Sequence, residues 1–574
     1  MDQKRLLLAI AISAVILIGY QYLAARYLPH PPPAVSAAAL VAPAGPAVAP
    51  GAAATAAAAP APAPRVAIDA PSVQGSLSLR GARIDDVVLT RYRVSQQPGA
   101  ADVRLFARPG TKRPYYAQFG WSAAPGETVA LPGPATIWTA TPGALSPGHP
   151  VTLSWDNGAG LMFRIALTID DHYLFGVTQT VANTGTAPVT LFPWARIRRD
   201  YTPPPSGYYI LFEGLTGIAH DRLQEMAYAK AKSDAKGKAG NVAYQATSKG
   251  GWAGFSDKYW LGALIPDQAI PTTLRYRSIQ GGDGHFQVDY ATAAAQVVAP
   301  GASAQLASHL FAGAKVVNLL DAYESRYHIP QFDKAVDFGW FYWITKPIFY
   351  ALDYLNGLLG NFGLAILAFT VCVKLLFFPL ANYSYRSMSK MRLLAPKVAA
   401  MRERLKDDPQ KQQQEMMALY KAEKVNPASG CLPMVVQIPV FFSLYKVIFV
   451  TIEMRQAPFY GWIHNLSVVD PTNVFTLFGL IPWHPSAFSP FLHLGVLPIL
   501  MGLTMFGQQK LNPPPPDPVQ AKLFLFMPLI FTFMMGRFPA GLVLYWTWNN
   551  LLSIGQQWLI MRNTRLAKPG LARS

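Results

Sequence analysis

Long apolar runs and short alternating runs divide the chain into parts with different patterns. Near the N-terminus, residues 6–23 are almost entirely apolar, and the basic residues Lys4 and Arg5 precede them. This run approaches the about 20 residues that a membrane-spanning helix needs. The same features fit a cleaved signal peptide, so the pattern alone leaves both interpretations open. Either interpretation places the following segment on the exported side.

A linker and a β-rich region come next. Residues 29–64 are mainly Ala and Pro without hydrophobic periodicity, which is typical of an extended, semi-rigid tether. Between 65 and 322, short alternating runs separated by Gly, Pro and Asn predict strands, among them 161–169, 173–181 and 189–194. Many such strands over about 250 residues indicate a large antiparallel β-sandwich.

Two segments of this region have patterns of their own. Residues 227–240 are small and polar, which predicts a mobile surface loop. Residues 250–267, GGWAGFSDKYWLGALIPD, are rich in aromatic side chains. We interpret this string as core strands with a turn at 255–257.

An aromatic, amphipathic segment at 323–361 leads to the next apolar run. Large apolar residues recur there at three- and four-residue spacing: Phe332, Val336, Trp340, Trp343 and Ile344. This spacing predicts a helix that lies in a membrane interface. Pro347 is expected to end or kink that helix.

Five further apolar segments follow, at 363–380, 431–452, 491–509, 523–536 and 540–561. The segment 523–536 corresponds to about 21 Å of helix, against about 30 Å for the hydrocarbon core of a bilayer. Such a short span implies local thinning of the bilayer or shelter by neighbouring helices. No role follows from the aromatic, Pro-rich connection at 458–490.

A polar segment, 381–430, separates the first two of these runs. Asp408 before Pro409 is a favourable helix N-cap, so we expect a helical hairpin that turns at 406–409. The hairpin is rich in methionine: Met388, Met391, Met401, Met416 and Met417. Methionine surfaces repack around varied apolar partners, although a stripe that forms only the hairpin's own core would have the same pattern.

The formal charge of +18 is concentrated in three regions that fit a membrane topology. Basic residues cluster in the hairpin, around the Pro-rich turn at 510–522 and in the tail. Two apolar runs separate each region from the next, so all three lie on one side, as cytoplasmic segments do. With the first run retained, the chain has six spans and both termini in the cytoplasm. The expected divisions are an anchor (1–28), a linker (29–64), a periplasmic β-sandwich (65–322), an interfacial region (323–361), a helical core (362–562) and a tail (563–574).

Lys374 is the main candidate functional residue, because it lies inside the apolar run 363–380. Thr370, four residues earlier, falls on the same helical face. A lysine at a helix centre costs roughly 2.5–3.5 kcal/mol on membrane insertion, so a function is the default hypothesis. The alternative is a side chain that extends to the nearby interface.

Other polar groups in the spans are the amides of Gln437, Gln508 and Asn549. No Asp or Glu occupies the centre of a span, which argues against an ion-coupled transporter. Cys372 and Cys431 are too few for a Cys-rich zinc site or a disulfide framework, and we expect both to be packing residues. The β-rich region shows no catalytic triad, metal-ligand spacing or phosphate loop. We therefore expect no catalytic residue, metal or cofactor.

The C-terminal half carries several specific strings. They are FDKAVDFGWFYWITKPIF, KLLFFPL, YRSMSKMRLLAPK, DDPQKQQQEMMALYKAEKVNPASGCLPMVVQIPVFFSLYKV, QQKLNPPPPDPVQAK and FPAGLVLYWTWNNLLSIGQQW. Over about residues 323–562 the chain closely resembles the YidC/Oxa/Alb family of membrane protein insertases in its Gram-negative form. The string at 250–267 is similar to the periplasmic domain of that family, and the likeness elsewhere between 65 and 321 is weak.

The resemblance implies an α-helical polytopic protein of the bacterial inner membrane, with six spans, a periplasmic β-sandwich of the supersandwich type and a cytoplasmic hairpin. It implies an insertase and chaperone that inserts, folds and assembles inner-membrane proteins through a hydrophilic groove, without a cofactor. By position, Lys374 gives the groove its charge where many relatives have Arg. Thr370, Trp546 and Gln508 match groove residues, and we add Gln437 for its own polarity.

The implied partners are nascent membrane proteins, the Sec translocon, signal-recognition machinery, ribosomes and the lipid bilayer. Direct nucleic-acid recognition is not expected, and the short tail argues against a long ribosome-tethering segment. Without the resemblance, the residues support an insertase, a transporter and a membrane-bound transferase equally well. A polytopic transporter with a periplasmic ligand-binding domain and a glycan-binding or carbohydrate-active protein remain as alternatives.

Overall fold

The computed structural model describes residues 63–204, 211–279, 284–405, 408–423, 425, 432–481, 483, 493–512 and 518–566. The predicted anchor, nearly all of the linker and the tail from residue 567 onward lie outside these residues.

The described β-rich region consists of two antiparallel sheets. Its strands are β1 Arg65–Asp69, β2 Val73–Ser78, β3 Arg83–Arg93, β4 Asp102–Phe106, β5 Tyr115–Ala123, β6 Thr139–Ala140, β7 Val151–Asp156, β8 Leu161–Ile169, β9 Leu174–Asn183, β10 Val189–Arg199, β11 Gly214–Ala219, β12 Arg222–Met226, β13 Val242–Lys249, β14 Trp252–Ser256, β15 Trp260–Ile265, β16 Pro271–Ile279, β17 His285–Thr292, β18 Gln296–Val298 and β19 Ser303–Ala314. A ten-stranded sheet has the order β1-β2-β3-β5-β10-β17-β16-β13, with β4 beside β3 and β18 beside β10. A nine-stranded sheet has the order β12-β11-β14-β15-β19-β9-β8-β7-β6.

The alternating pattern predicted these strands because one face of each sheet is buried. In β8, every second side chain from Leu161 to Ile169 is buried, and the predicted bounds are confirmed. β10 continues five residues beyond the predicted end at 194, since the alternation persists to Arg199. The aromatic string at 250–267 forms the predicted pair of core strands, β14 and β15. The predicted turn at 255–257 is wrong: Phe255 and Ser256 still pair within β14, and the turn lies at 257–259.

A charged residue lies inside the core that the two sheets enclose. Arg199 is buried, and its Nη1 and Nη2 atoms donate to Asp257 at 2.8 and 2.7 Å. Nη1 also donates to the Tyr228 hydroxyl at 2.7 Å, and the guanidinium lies 4.1 Å from the centre of the Tyr115 ring. Paired in this way, the buried charge is compensated.

The prediction of a mobile loop at 227–240 is wrong. The segment contains helix α1, Tyr228–Ala235, whose Tyr228, Ala231 and Ala235 side chains are buried. Three- and four-residue spacing places these buried side chains on one face of the helix. The intervening lysines and Asp234 are what made the composition look like that of a loop.

The single amphipathic helix predicted through Phe332 and Ile344 is also wrong. Helix α2, Val317–Tyr327, is followed by a short 3₁₀ turn, Phe332–Ala335, and only then by α3, Tyr342–Leu359. Phe332 is fully buried whereas Trp340 is 97% exposed, so the apolar residues do not share one face. Pro347 does not end α3, because buried Ile348, Phe349 and Leu352 hold the following turns in place.

The remaining helices form the helical core and the hairpin. They are α4 Phe362–Leu376, α5 Phe378–Arg404, α6 Pro409–Ala422, α7 Leu432–Val450, α8 Val496–Leu511, α9 Pro518–Met535 and α10 Ala540–Leu566. Within the described residues, no helix taken singly is long and apolar enough to cross a membrane. The pair Phe362–Leu376 and Phe378–Met391, bent by 67°, passes that test jointly by length and composition.

Helices α5 and α6 occupy most of the segment in which a helical hairpin is predicted. The predicted cap is confirmed: the Asp408 carboxylate accepts the Lys411 backbone N–H at 3.0 Å. Side chains also join the arms, since Lys397 pairs with Glu423 at 3.1 Å and Gln412 donates to the Arg402 carbonyl at 3.3 Å.

Polar contacts connect the sandwich and α2 with the helical core. Glu453, just after α7, accepts the Val317 backbone N–H at the start of α2 at 2.9 Å. Asp337 accepts Lys446 Nζ of α7 at 2.8 Å and the Phe212 backbone N–H at 3.1 Å. Together these contacts form the joint between sandwich and core.

Candidate functional site

Lys374 lies in the last turn of α4 and reaches across to α10. The Asn361 side chain caps the start of α4 by accepting the Leu364 N–H at 3.1 Å. Lys374 Nζ donates to Ser553 Oγ at 2.8 Å, and Ser553 Oγ donates to the Asn549 carbonyl at 2.7 Å. Among the described residues, no carboxylate forms an ion pair with Lys374.

Helix α10 carries a stripe of polar side chains that includes Ser553, the hydrogen-bond partner of Lys374. Its members recur at three-, four- and seven-residue spacing, which places them on one side of the helix: Trp546, Asn549, Asn550, Ser553 and Gln557. Asn550, Ser553 and Gln557 are each only 2% exposed. Buried Asn549 Oδ1 has no hydrogen-bond partner in the part of the chain that the structure describes. The stripe is therefore polar but incompletely satisfied, which is unusual for a helix interior.

Two of the predicted site residues, Gln437 and Trp546, take part in the contact between α7 and α10. Gln437 of α7 donates to the Tyr545 hydroxyl. The neighbouring Trp546 ring lies 4.8 Å from Phe441 of α7 and 5.7 Å from Phe531 of α9, measured between ring centres. An aromatic cluster thus adjoins the polar stripe.

Thr370 and Gln508 are less closely involved. Thr370 is buried one turn before Lys374, but its hydroxyl donates to the Ile366 carbonyl of its own helix at 2.6 Å. Gln508 is half-buried on α8. The hydrogen bonds between α8 and α10 come from Asn550 to Thr504 at 3.3 Å and from Gln557 to the Leu511 carbonyl at 3.1 Å.

Sequence reasoning missed several members of this cluster. Four of them were not among the predicted site residues. Tyr545 and Ser553 accept hydrogen bonds from Gln437 and Lys374, whereas Asn550 and Gln557 donate to α8. The available signal was the spacing of polar residues along 546–557 within an apolar run. Which of them faces Lys374 depends on how α4 packs against α10, and the spacing does not contain that information.

The hairpin methionines are spread over partly buried and exposed positions. Met388 packs against Ala381, Tyr385 and Ile560, so its contact is partly with α10 rather than with the second arm. Met391, Met401 and Met416 are half-buried, and Met417 is 53% exposed.

Among the described residues, neither Cys372 nor the acidic side chains form a chemical site. Cys372 is an exposed free thiol on α4, so the prediction that it packs inside is wrong, and Cys431 lies outside the described residues. Asp321, Glu324 and Asp333 bring carboxylate oxygens within 4.8 Å of one another. Lys346 Nζ already lies 2.8 Å from Asp321 and 2.5 Å from Asp333, so ion pairing accounts for this cluster.

Two family models match the chain. The model for the YidC periplasmic domain matches residues 65–351, and the model for the 60Kd inner membrane protein matches residues 354–568. A protein of Granulibacter bethesdensis named membrane protein insertase YidC is 57% identical over 581 residues, covering 100% of each chain. A protein of the same name from Acidiphilium cryptum is 55% identical and covers 99% of this chain and 98% of its own.

Solved structures show weaker likeness. A crystal structure of an active YidC insertase is 16% identical, with a TM-score of 0.34, and covers 86% of this chain and 91% of its own. A galactose mutarotase related enzyme from Lactobacillus acidophilus is 10% identical, with a TM-score of 0.30, and covers 43% of this chain and 97% of its own. At TM-scores this low, neither structure supports a statement about the fold or the function of this chain.

Proposed function

The chain belongs to the YidC family of membrane protein insertases, and from this premise we propose that Lys374 and the polar stripe of α10 receive hydrophilic segments of nascent membrane proteins. The protein itself is an insertase of bacterial inner-membrane proteins. What we add is the assignment of roles to particular side chains. The galactose mutarotase likeness gives no reason to assign an enzymatic activity.

The observation that carries this proposal is the unpaired charge of Lys374. An ammonium group among apolar helices is costly unless a counter-charge or hydrogen bonds compensate it. Here one serine hydroxyl is its partner, and no carboxylate of the described residues offsets the charge. An acidic group on a passing client segment would supply the missing counter-charge.

The surroundings of Lys374 fit a client that is polar on one side and apolar on the other. The stripe at Asn549 and Ser553 offers hydrogen-bonding groups, while Trp546 with its two phenylalanine neighbours offers an aromatic surface. We assign Gln437 to the same surface through its contact with Tyr545. Thr370 and Gln508 are proposed to line the groove without a direct bond to Lys374.

We further propose the six-span arrangement with both termini in the cytoplasm and the sandwich in the periplasm. The distribution of basic residues supports it, because the hairpin, the turn at 510–522 and the tail share one side. In this arrangement the Met-rich hairpin is the first cytoplasmic surface that a client meets. The Sec translocon, signal-recognition machinery and ribosomes are the partners that we propose for delivery.

Charge variants of Lys374 test the proposal in a reconstituted insertion assay. The client is a single-span protein with an acidic exported tail, compared with the same client carrying a neutral tail. Lys374→Glu is expected to lower insertion of the acidic client by about tenfold while Lys374→Arg retains it, since one ion pair contributes on the order of 1.4 kcal/mol or more in a desolvated site. Lys236→Glu, an exposed position of the sandwich, makes the same change in net charge and should leave insertion intact.

Two results would refute the role of the charge. One is equal insertion of the acidic client by wild type, Lys374→Arg and Lys374→Glu. The other is an equal loss for the acidic and the neutral client, which would indicate structural damage. As an independent check of the site, photocrosslinkers at Trp546 should capture stalled nascent chains more strongly than crosslinkers at the exposed Leu503 of α8.

A further inference from the structure

A row of polar side chains crosses one face of the ten-stranded sheet. Directly paired residues of neighbouring antiparallel strands point to the same face, so the strand registers place these residues side by side. From β3 through β5, β10, β17 and β16 to β13, the row is Arg83, Gln118, Arg196, Asp289, Arg275 and Gln245.

A second row lies two residues further along the same strands. It consists of Tyr116, Arg198, Gln287 and Arg277. We call the two rows together the arginine face. Arginines predominate in it, and Asp289 is its only carboxylate, with Asp85 and Asp200 at its margins. The Arg83 and Arg275 side chains are 20% and 26% exposed, whereas Gln118 and Asp289 between them are buried, so solvent reaches the face at its arginines.

Arg196 lies at the centre of the arginine face, whereas Arg83 and Arg198 are paired with Asp85 and Asp200 at its margins. Arg196 donates to the Gln118 amide oxygen from Nε at 3.2 Å and from Nη2 at 2.6 Å. No described carboxylate forms an ion pair with Arg196, and Asp289 is already shared by Arg275 at 2.9 Å and Arg277 at 2.8 Å. Burial lowers the pKa of Arg196, and nearby Arg198 and Arg83 lower it further, whereas Tyr116 and Asp289 oppose this shift.

An aromatic surface adjoins this charge. The Arg196 guanidinium lies 5.1 Å from the centre of the Trp194 ring. The opposite position on β5 is Gly120, where a Cβ atom would come within 2.5 Å of that ring. Gly120 thus leaves the space in which the Trp194 ring lies across the sheet.

We propose that the arginine face binds an acidic, extended segment of a client polypeptide on the exported side of the membrane. Arg83 and Arg275 are four strand spacings apart, or about 19 Å at about 4.8 Å per spacing. That length accommodates about six residues of extended chain. Guanidinium groups bind carboxylates through paired hydrogen bonds, which favours Asp- and Glu-rich segments over neutral ones. This choice of occupant rests on the proposed function, because it is the insertase that brings exported segments to the sandwich.

Peptide binding to the full-length protein tests the inference directly. The protein is placed in nanodiscs of zwitterionic lipid, and the probe is a fluorescent peptide of about ten residues, rich in Asp, read by anisotropy at low salt. Arg196→Gln with Arg275→Gln is expected to weaken binding by about tenfold or more. Arg164→Gln with Arg222→Gln removes two exposed arginines from β8 and β12 of the other sheet; it is the matched control and should bind like wild type.

Three results would overturn the inference. They are equal binding of the Asp-rich peptide and its Asn counterpart, equal losses for the arginine-face and control variants, and binding of phosphatidylglycerol vesicles without binding of the peptide. Arg196→Lys guards against misfolding, because it keeps the charge and should retain most of the binding. The peptide assay tests the sandwich and the insertion assay tests Lys374. Insertion that is unaffected by Lys374→Glu would therefore refute the groove alone, and peptide binding that is unaffected by the arginine-face variant would refute the arginine face alone.

Discussion

Replacing Glu453 by glutamine should remove a pH dependence from the joint between the sandwich and the helical core. Glu453 Oε1 accepts the Val317 N–H at 2.9 Å, and Val316, the N-cap residue of α2, has no side-chain cap of its own. Buried Oε2 has no partner among the described residues. The carboxyl group therefore caps α2 from another part of the chain while one of its oxygens stays unsatisfied.

Burial raises the pKa of Glu453 to about 7, and its hydrogen bond to Val317 only partly opposes this effect. The nearby Asp353 carboxylate raises the pKa further, and Tyr92 also faces Glu453. Because the folded pKa exceeds the unfolded value of 4.5, the joint is most stable below pH 4.5 and loses that stability as the pH rises to about 7. The loss above pH 7 is at most about 3 kcal/mol, since one pKa unit corresponds to about 1.36 kcal/mol.

Hydrogen exchange of Val317–Tyr327 measures this effect in the full-length protein. After correction for the intrinsic rate, protection in wild type should fall by up to about 100-fold between pH 5 and pH 8. Glu453→Gln keeps a side-chain acceptor without the charge and should remove most of the fall. Asp353→Asn changes a carboxylate at the same joint and should retain it, because burial is the main cause of the raised pKa.

An unchanged pH dependence in Glu453→Gln would refute this reasoning, because some other group would then titrate. So would protection in wild type that rises with pH, since the sign follows from a raised carboxyl pKa.

Two further substitutions test the packing of the fold. Arg199→Leu should lower the free energy of unfolding by about 2–3 kcal/mol, because it leaves the half-buried Asp257 carboxylate and the Tyr228 hydroxyl without their guanidinium partner; a change below about 1 kcal/mol in chemical denaturation would contradict this. Asp408→Ala should cost the hairpin about 0.5–2 kcal/mol through loss of the cap on α6. The expected result is faster hydrogen exchange of the first α6 amides and unchanged exchange in α10. Equal exchange in wild type and Asp408→Ala would show that the cap contributes nothing.

Local pattern was sufficient for many elements because burial on one face leaves a period in the sequence. Spacing predicted the bounds of β8 and the position of Lys374 in an apolar helix. A single capping residue, Asp408, predicted the start of α6. Where composition obscured the period, prediction failed. Helix α1 was mistaken for a loop, and the residues around Phe332 were assigned to one helix although a turn separates them from α3.

The residues of the candidate site also fall into those that the sequence identified and those that it did not. The sequence identified Lys374, Gln437 and Trp546, because a polar or aromatic residue in an apolar run stands out by itself. It did not identify Ser553 or Tyr545 as their partners, since a contact across 179 or 108 positions depends on helix packing. The predicted divisions of the chain and the six-span topology stay predictions.

The sequence by itself thus determined many of the elements, the family and the unusual cation of α4. Only the tertiary structure decided which residues from distant segments meet. Strand order and register brought Arg83, Arg196 and Arg275 into one row, although no local pattern relates them. The physical reason is that alternation and helical spacing are properties of neighbouring residues, whereas register and helix packing are fixed by the core as a whole.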